Sequence, residues 1–115
     1  MVEYNPNHFE EDEINNLDPD LVVRLDLARE YAGVPFIITS GYRTPEQNEA
    51  AGGKSNSAHL RGKAVDISAP TSYRRFHIVH GLFRAGVPRI VVYSDKNIVH
   101  ADIDTSLPWP LLAVY

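Results

Sequence analysis

Apolar positions recur along the chain with two periods. Behind Asp18-Pro19-Asp20, residues Leu21, Val22, Leu25, Ala28 and Ala32 fall on one face at helical spacing, and Gly33 ends the run. Asp18 suits the N-cap, Pro19 the first helical position and Asp20 the positive end of the helix. Residues 36–39, after Pro35, read as a short, fully apolar strand. From 40 to 62 the texture turns to Gly, Asn, Ser and charge, a long loop for a small domain. Within it Thr44-Pro45-Glu46-Gln47 predicts a helix of one or two turns that stops at Gly52-Gly53. Ala64-Val65-Asp66-Ile67-Ser68 is the next strand. A second long helix is expected over 72–85, with Tyr73, Phe76, His80 and Phe83 at helical spacing and Gly86 closing it. Segments 89–93 and 97–103 are β-rich and flank Ser94-Asp95-Lys96, which predicts a hairpin. Leu107-Pro108-Trp109-Pro110 is too proline-rich for a central strand. This order predicts an α+β domain whose sheet is at least partly antiparallel.

Length and charge narrow the picture. At 115 residues the chain has room for one domain, 1–115, with residues 1–16 as a polar, acidic arm laid over the body. Eleven Lys and Arg against fifteen Asp and Glu give a net charge of −4, which argues against nucleic acid as a partner. The absence of cysteine excludes disulfides, thiolate zinc sites and a cysteine nucleophile. No apolar run is long enough to span a membrane, so no membrane insertion is expected. The start of the chain lacks a basic, apolar leader, and the expected location as made is cytoplasmic. A monomer is expected.

The chemistry-bearing residues are His59, in the polar loop, Asp66, seven residues on in the following strand, and His100 in the last strand. A catalytic zinc site takes three protein ligands and keeps one position open. Two imidazoles and one carboxylate leave the metal a net positive charge, enough to acidify water towards neutrality. By spacing alone His59 also reads as a solvated loop residue, and Asp66 as a turn former at a strand end. Val65 and Ile67 on either side of Asp66 weigh against the second reading, because a carboxylate in an apolar strand needs a cation or donors. His77 and His80 sit at i, i+3, and ordinary patterning places them on the surface of a helix. His8 has no evident partner, while Tyr42, Tyr93 and Trp109 suit either a cleft or a core.

The stretch Ser57-Ala58-His59-Leu60-Arg61-Gly62-Lys63-Ala64-Val65-Asp66 resembles the SxHxxGxAxD signature of peptidase family M15, which includes zinc D-Ala-D-Ala carboxypeptidases and phage endolysins. Ser40-Gly41-Tyr42-Arg43-Thr44 resembles the SGYR segment of that family, followed by Asn48 and Gly52-Gly53. Val99-His100-Ala101-Asp102-Ile103 resembles its closing HxD strand, with Trp109 beyond. The motif-bearing core is thus 40–109. The resemblance implies the small α+β domain shared with the hedgehog signalling fragment, a mainly antiparallel sheet with flanking helices. It implies Zn2+ held by His59, Asp66 and His100, and Arg43 gripping a substrate carboxylate or a developing oxyanion. Ser57 would line the cleft and orient substrate, and Gly62 would let the loop approach closely.

One position departs from the pattern. Several branches carry an acidic base three residues before the last histidine, where this chain has Asn97, which cannot accept a proton at neutral pH. Asp102 shares a strand face with His100 and is the substitute, either as catalytic base or as a carboxylate orienting a ligand. Asp95 is a further candidate. The implied activity is zinc-dependent hydrolysis of a peptide bond in a peptidoglycan stem peptide, in a lysis or remodelling enzyme reaching the wall after release by another protein. The alternatives are a module of the same fold that binds the wall without turnover, or a virion component.

Overall fold

A computed structural model describes residues 7–115; the first six residues of the expected arm lie outside the described residues. Three helices, α1 (Pro19–Ala32), α2 (Pro45–Ala50) and α3 (Ser72–Arg84), accompany five strands: β1 (Ile38–Ser40), β2 (Ala64–Ser68), β3 (Arg89–Tyr93), β4 (Ile98–Asp102) and β5 (Leu111–Val114). The strands form one sheet in the order β1-β2-β4-β3-β5, antiparallel except for the parallel pair β3–β5.

Strand periodicity divides the sheet into two faces with different work. Val65, Ile67, Ile90, Val92, Val99 and Ala101 point to one side and are buried beneath α1 and α3. Asp66, His100 and Val91 lie side by side on the other face, because β2 pairs Asp66 with His100 and β3 pairs Val91 with His100. Leu21, Leu25 and Ala28 of α1 meet Ile78 and Leu82 of α3 in the core. The two helices touch most closely at Gly81, where a Cβ would come within 2.4 Å of the Ala28 carbonyl oxygen and 2.9 Å of the Ala32 Cβ. A side chain there would push the helices apart. Phe9 enters the core, and the backbone N–H groups of Asn7 and His8 donate to Asp26. Among the described residues no helix is long and apolar enough to cross a membrane.

The local signals act as expected in most places. The Asp18 carboxylate accepts from the Asp20 N–H, and Gly33 closes α1 in the left-handed region. Thr44 and Gln47 form a reciprocal capping box on α2. Four departures are informative. The first strand begins two residues later than expected and has an exposed flank at Ile37, because β1 is a sheet edge. The loop 40–62 contains a 3-10 turn, Ala58–Arg61, in addition to α2. β5 follows the proline-rich segment as an edge strand, anchored by the Leu111 N–H on the Pro88 carbonyl; four residues without a flanking turn signal announce no strand until β3 supplies the ladder. Finally, α3 buries Ile78, Gly81 and Leu82, and turns Tyr73, Phe76, His80 and Phe83 to solvent.

Candidate active site

The loop and the polar face of the sheet meet in a cleft of about 550 Å³ lined by Arg43, Ser57, His59, Asp66, Arg89, Tyr93, His100 and Asp102, among others. His59 sits in the 3-10 turn, capped by the Ser57 hydroxyl, which accepts from the His59 backbone N–H at 3.3 Å. Gly62 closes that turn at φ +67, and a Cβ there would lie 2.3 Å from the Asn16 carbonyl oxygen, so only glycine fits. The His59 ring is 3% exposed, and its Nδ1 donates to the Gly41 carbonyl at 2.7 Å. That bond fixes the orientation of the ring and turns Nε2 towards Asp66. The solvated-loop reading of His59 is therefore excluded.

Asp66 is the hub. Its Oδ1 lies 3.4 Å from His59 Nε2 and 3.0 Å from His100 Nδ1, and its Oδ2 accepts from Arg43 Nη2 at 3.2 Å. Burial works against the ionised form. Hydrogen bonds from His100 and His59, with their charges, outweigh it and hold the Asp66 carboxyl well below the usual carboxylate range. Around His100 burial also opposes the charged form, but the bonds to Asp102 and Asp66 win and raise its pKa to about 9. The imidazolium then donates Nδ1–H to Asp66 and Nε2–H to Asp102 Oδ2, 2.7 Å away.

His59, Asp66 and His100 can hold a metal ion: one donor atom from each lies within 4.8 Å of the others. The donor chemistry fits, since both histidines have their second nitrogen fixed by an oxygen acceptor, as ligating imidazoles require. Arg43 is oriented by three contacts, Nε to Ser40 Oγ at 3.0 Å, Nη1 to Asn48 Oδ1 at 3.5 Å, and the Asp66 ion pair. Asp102 shares the face of His100, as strand period requires. It is 1% exposed and fully engaged: Oδ1 accepts from Arg89 Nε at 2.9 Å and from the Asp104 N–H at 3.1 Å, while Oδ2 faces His100. Asn97 and Asp95 are exposed in the β3–β4 turn, and neither lines the cleft.

Arg89, which contacts Asp102, is the residue at the site that sequence reasoning missed, and Asn48, named there only as part of the motif, contacts Arg43. Arg89 was legible in retrospect, as the one cation in the otherwise apolar β3, at the rung opposite Asp102. His77 and His80 make ring contacts with Tyr73 and Phe76 on α3, away from the cleft. His8 pairs with Glu30, Tyr93 lines the cleft, and Trp109 borders a separate hollow. Tyr42 is exposed.

Two imidazoles and a carboxylate converging in an open cleft form a donor set that could hold a metal ion with a position left open. The chain belongs to peptidase family M15, whose model matches residues 7–102. Among solved structures the chain is similar to the L-Ala D-Glu endopeptidase ChiX of Serratia marcescens, with 25% identity and a TM-score of 0.63 over 84% of this chain and 86% of that one. No curated protein sequence matches it.

Proposed function

We propose that this M15 peptidase is zinc-dependent and cleaves a stem peptide of bacterial peptidoglycan. The observation that carries the reading is the convergence of His59 Nε2, Asp66 Oδ1 and His100 Nδ1 at one point of the cleft. A bound zinc ion supplies Lewis-acid chemistry, polarising a carbonyl and activating water. The protein's part is positional. Arg43 holds the second oxygen of Asp66, which aims Oδ1 inward, and three of the five guanidinium donors are used in this grip. The remaining two are available to a substrate carboxylate or oxyanion. Ser57 fixes the start of the His59 turn and borders the path of the substrate. Asp102 acts as the carboxylate that orients His100 rather than as a solvent-reaching base, since Arg89 and the Asp104 N–H occupy it.

The experiment is product identification on defined muropeptides, with and without a chelator, starting with the L-Ala–D-Glu bond named for the Serratia enzyme. Chelator-sensitive cleavage supports the reading. The second reading is a module that binds cell wall, free or in a virion, without turnover. It is favoured by one observation: both carboxylates lining the cleft, Asp66 and Asp102, are engaged, and Asn97 stands where a base is expected. Tight zinc binding with no cleavage of any muropeptide would establish it.

A further inference from the structure

The cleft carries charge that its own contacts do not use up. Among the described residues, the Lys and Arg side chains lining it are Arg43, Lys54, Arg89 and Lys96, against two carboxylates, Asp66 and Asp102. Arg43 pairs with Asp66 and Arg89 with Asp102, so these charges cancel within the site. Lys54 and Lys96 pair with no carboxylate among the described residues. Two unspent positive charges therefore line the cleft of a chain whose net charge is −4.

Both lysines stand on anchored backbone, one on each side of the cleft. On the loop side Asn48, 4% exposed, donates from Nδ2 to the Lys54 carbonyl at 2.8 Å and accepts from Arg43 Nη1 at 3.5 Å. That buried amide ties the Lys54 segment to the site. The neighbouring Gly53 passes so close that a Cβ there would collide with the Asn48 Oδ1. On the sheet side, in the β3–β4 turn, Lys96 Nζ lies 5.3 Å from the centre of the Tyr93 ring. Tyr93 stacks in turn on Tyr115, and both rings line the cleft. An ammonium over an aromatic face is held near that face and keeps its charge.

We propose that Lys54 and Lys96 determine specificity by pairing with a free carboxylate on the bound peptide, so that the substrate is an acidic peptide. This rests on the peptidase reading and adds the charge of the substrate to it. A glutamate in a peptide chain leaves one of its two carboxyl groups outside the backbone, and with the L-Ala–D-Glu bond in the cleft that group is the occupant. The same peptide with this carboxylate amidated is the poorer substrate. Cations exposed at an open cleft act on encounter and binding, so the discrimination falls in KM rather than in kcat.

Two synthetic stem peptides test the proposal, identical except that the D-Glu residue of one carries its free carboxylate and that of the other is amidated. Exposed pairs contribute up to about fivefold each, so zinc-loaded wild type should prefer the acid by about tenfold in kcat/KM. High salt should erode the preference. Lys54→Gln with Lys96→Gln should bring the ratio close to one through KM, whereas Lys54→Arg with Lys96→Arg should keep it. Lys63→Gln removes a charge beside the separate hollow and should leave the ratio as in wild type. Unchanged melting temperatures and zinc contents would show that the variants are folded and loaded. Equal cleavage of acid and amide by wild type, a preference that survives in the Gln pair, or one lost equally in Lys63→Gln overturns the proposal and leaves the peptidase reading standing. Cleavage of neither peptide counts against the peptidase reading, and equilibrium binding of the same two peptides then decides. Acid bound about tenfold tighter than amide by wild type, but not by the Gln pair, upholds the proposal; equal binding overturns it. Should the Gln pair fail to fold, the acid-to-amide ratio of wild type and its salt dependence decide alone.

Discussion

His100 Nε2 lies 2.7 Å from Asp102 Oδ2, and Arg89 Nε contacts both oxygens of that carboxylate at 2.9 and 3.1 Å. The imidazole is thereby held from behind, with Nδ1 turned to Asp66. Asp102→Asn should weaken zinc binding about ten- to a hundred-fold, with turnover largely restored at saturating zinc. A loss of about a hundred- to ten-thousand-fold at saturating zinc would instead make Asp102 the proton acceptor. Zinc titration and kcat on the same variant separate the two roles.

His59→Ala should abolish stoichiometric zinc uptake, since the turn places one free Nε2 at the site and nothing nearby replaces it. Metal analysis of dialysed wild type and variant checks this. Equal zinc content in both would remove His59 from the site.

Zinc affinity should rise with pH from acid to about 9, the raised pKa of metal-free His100, because the proton on Nδ1 occupies the ligand position. The metal-free protein behaves in the opposite sense. The folded pKa of His100 lies above its unfolded value, so its stabilisation is full below about 6.5 and fades as pH climbs through about 9. Asp66 is depressed, so its contribution is full above the ordinary carboxylate range and fades on acidification. Metal-free stability should therefore peak between the two ranges, and chelator-treated melting curves across pH would show it. A zinc affinity flat with pH would mean that histidines are not the ligands.

Arg43→Lys should retain zinc while losing about ten- to a hundred-fold in kcat/KM. Lysine keeps the charge, but one ammonium cannot reach Ser40, Asn48 and Asp66 as the planar fork does. Full activity would show that charge alone suffices.

Gly81→Ala should destabilise the protein by about 1–3 kcal/mol, although alanine ordinarily stabilises a helix interior relative to glycine. The sign reverses because the added methyl would meet the α1 backbone. An unchanged or higher melting temperature would refute the close packing of α1 on α3.

Capping and turn chemistry made most of the fold legible: Asp18-Pro19, Thr44 with Gln47, and the glycines after the helices act within a few residues of themselves. The strand Ala64–Ser68 was legible because apolar and polar residues alternate from Val65 onward. β5 was not, since its only instruction is a neighbour 22 residues upstream. The orientation of α3 was misleading for a different reason. Its aromatics follow the helical period as faithfully as its aliphatics do, and periodicity cannot say which of two stripes faces inward. At the site, motif order brought His59, Asp66 and His100 together, whereas the engagement of Asp102 by Arg89 depends on strand register.

The division of the sheet into two faces imposes a parity on the sequence. In β2 and β4 the odd-numbered Val65, Ile67, Val99 and Ala101 belong to the core, and the even-numbered Asp66, His100 and Asp102 to the cleft. Damage along either strand should therefore oscillate with every step: losses of abundance at odd positions, losses of chemistry at even ones. Because the two sets share a backbone but no side-chain environment, substrate preference can drift at even positions while the odd ones keep the domain folded.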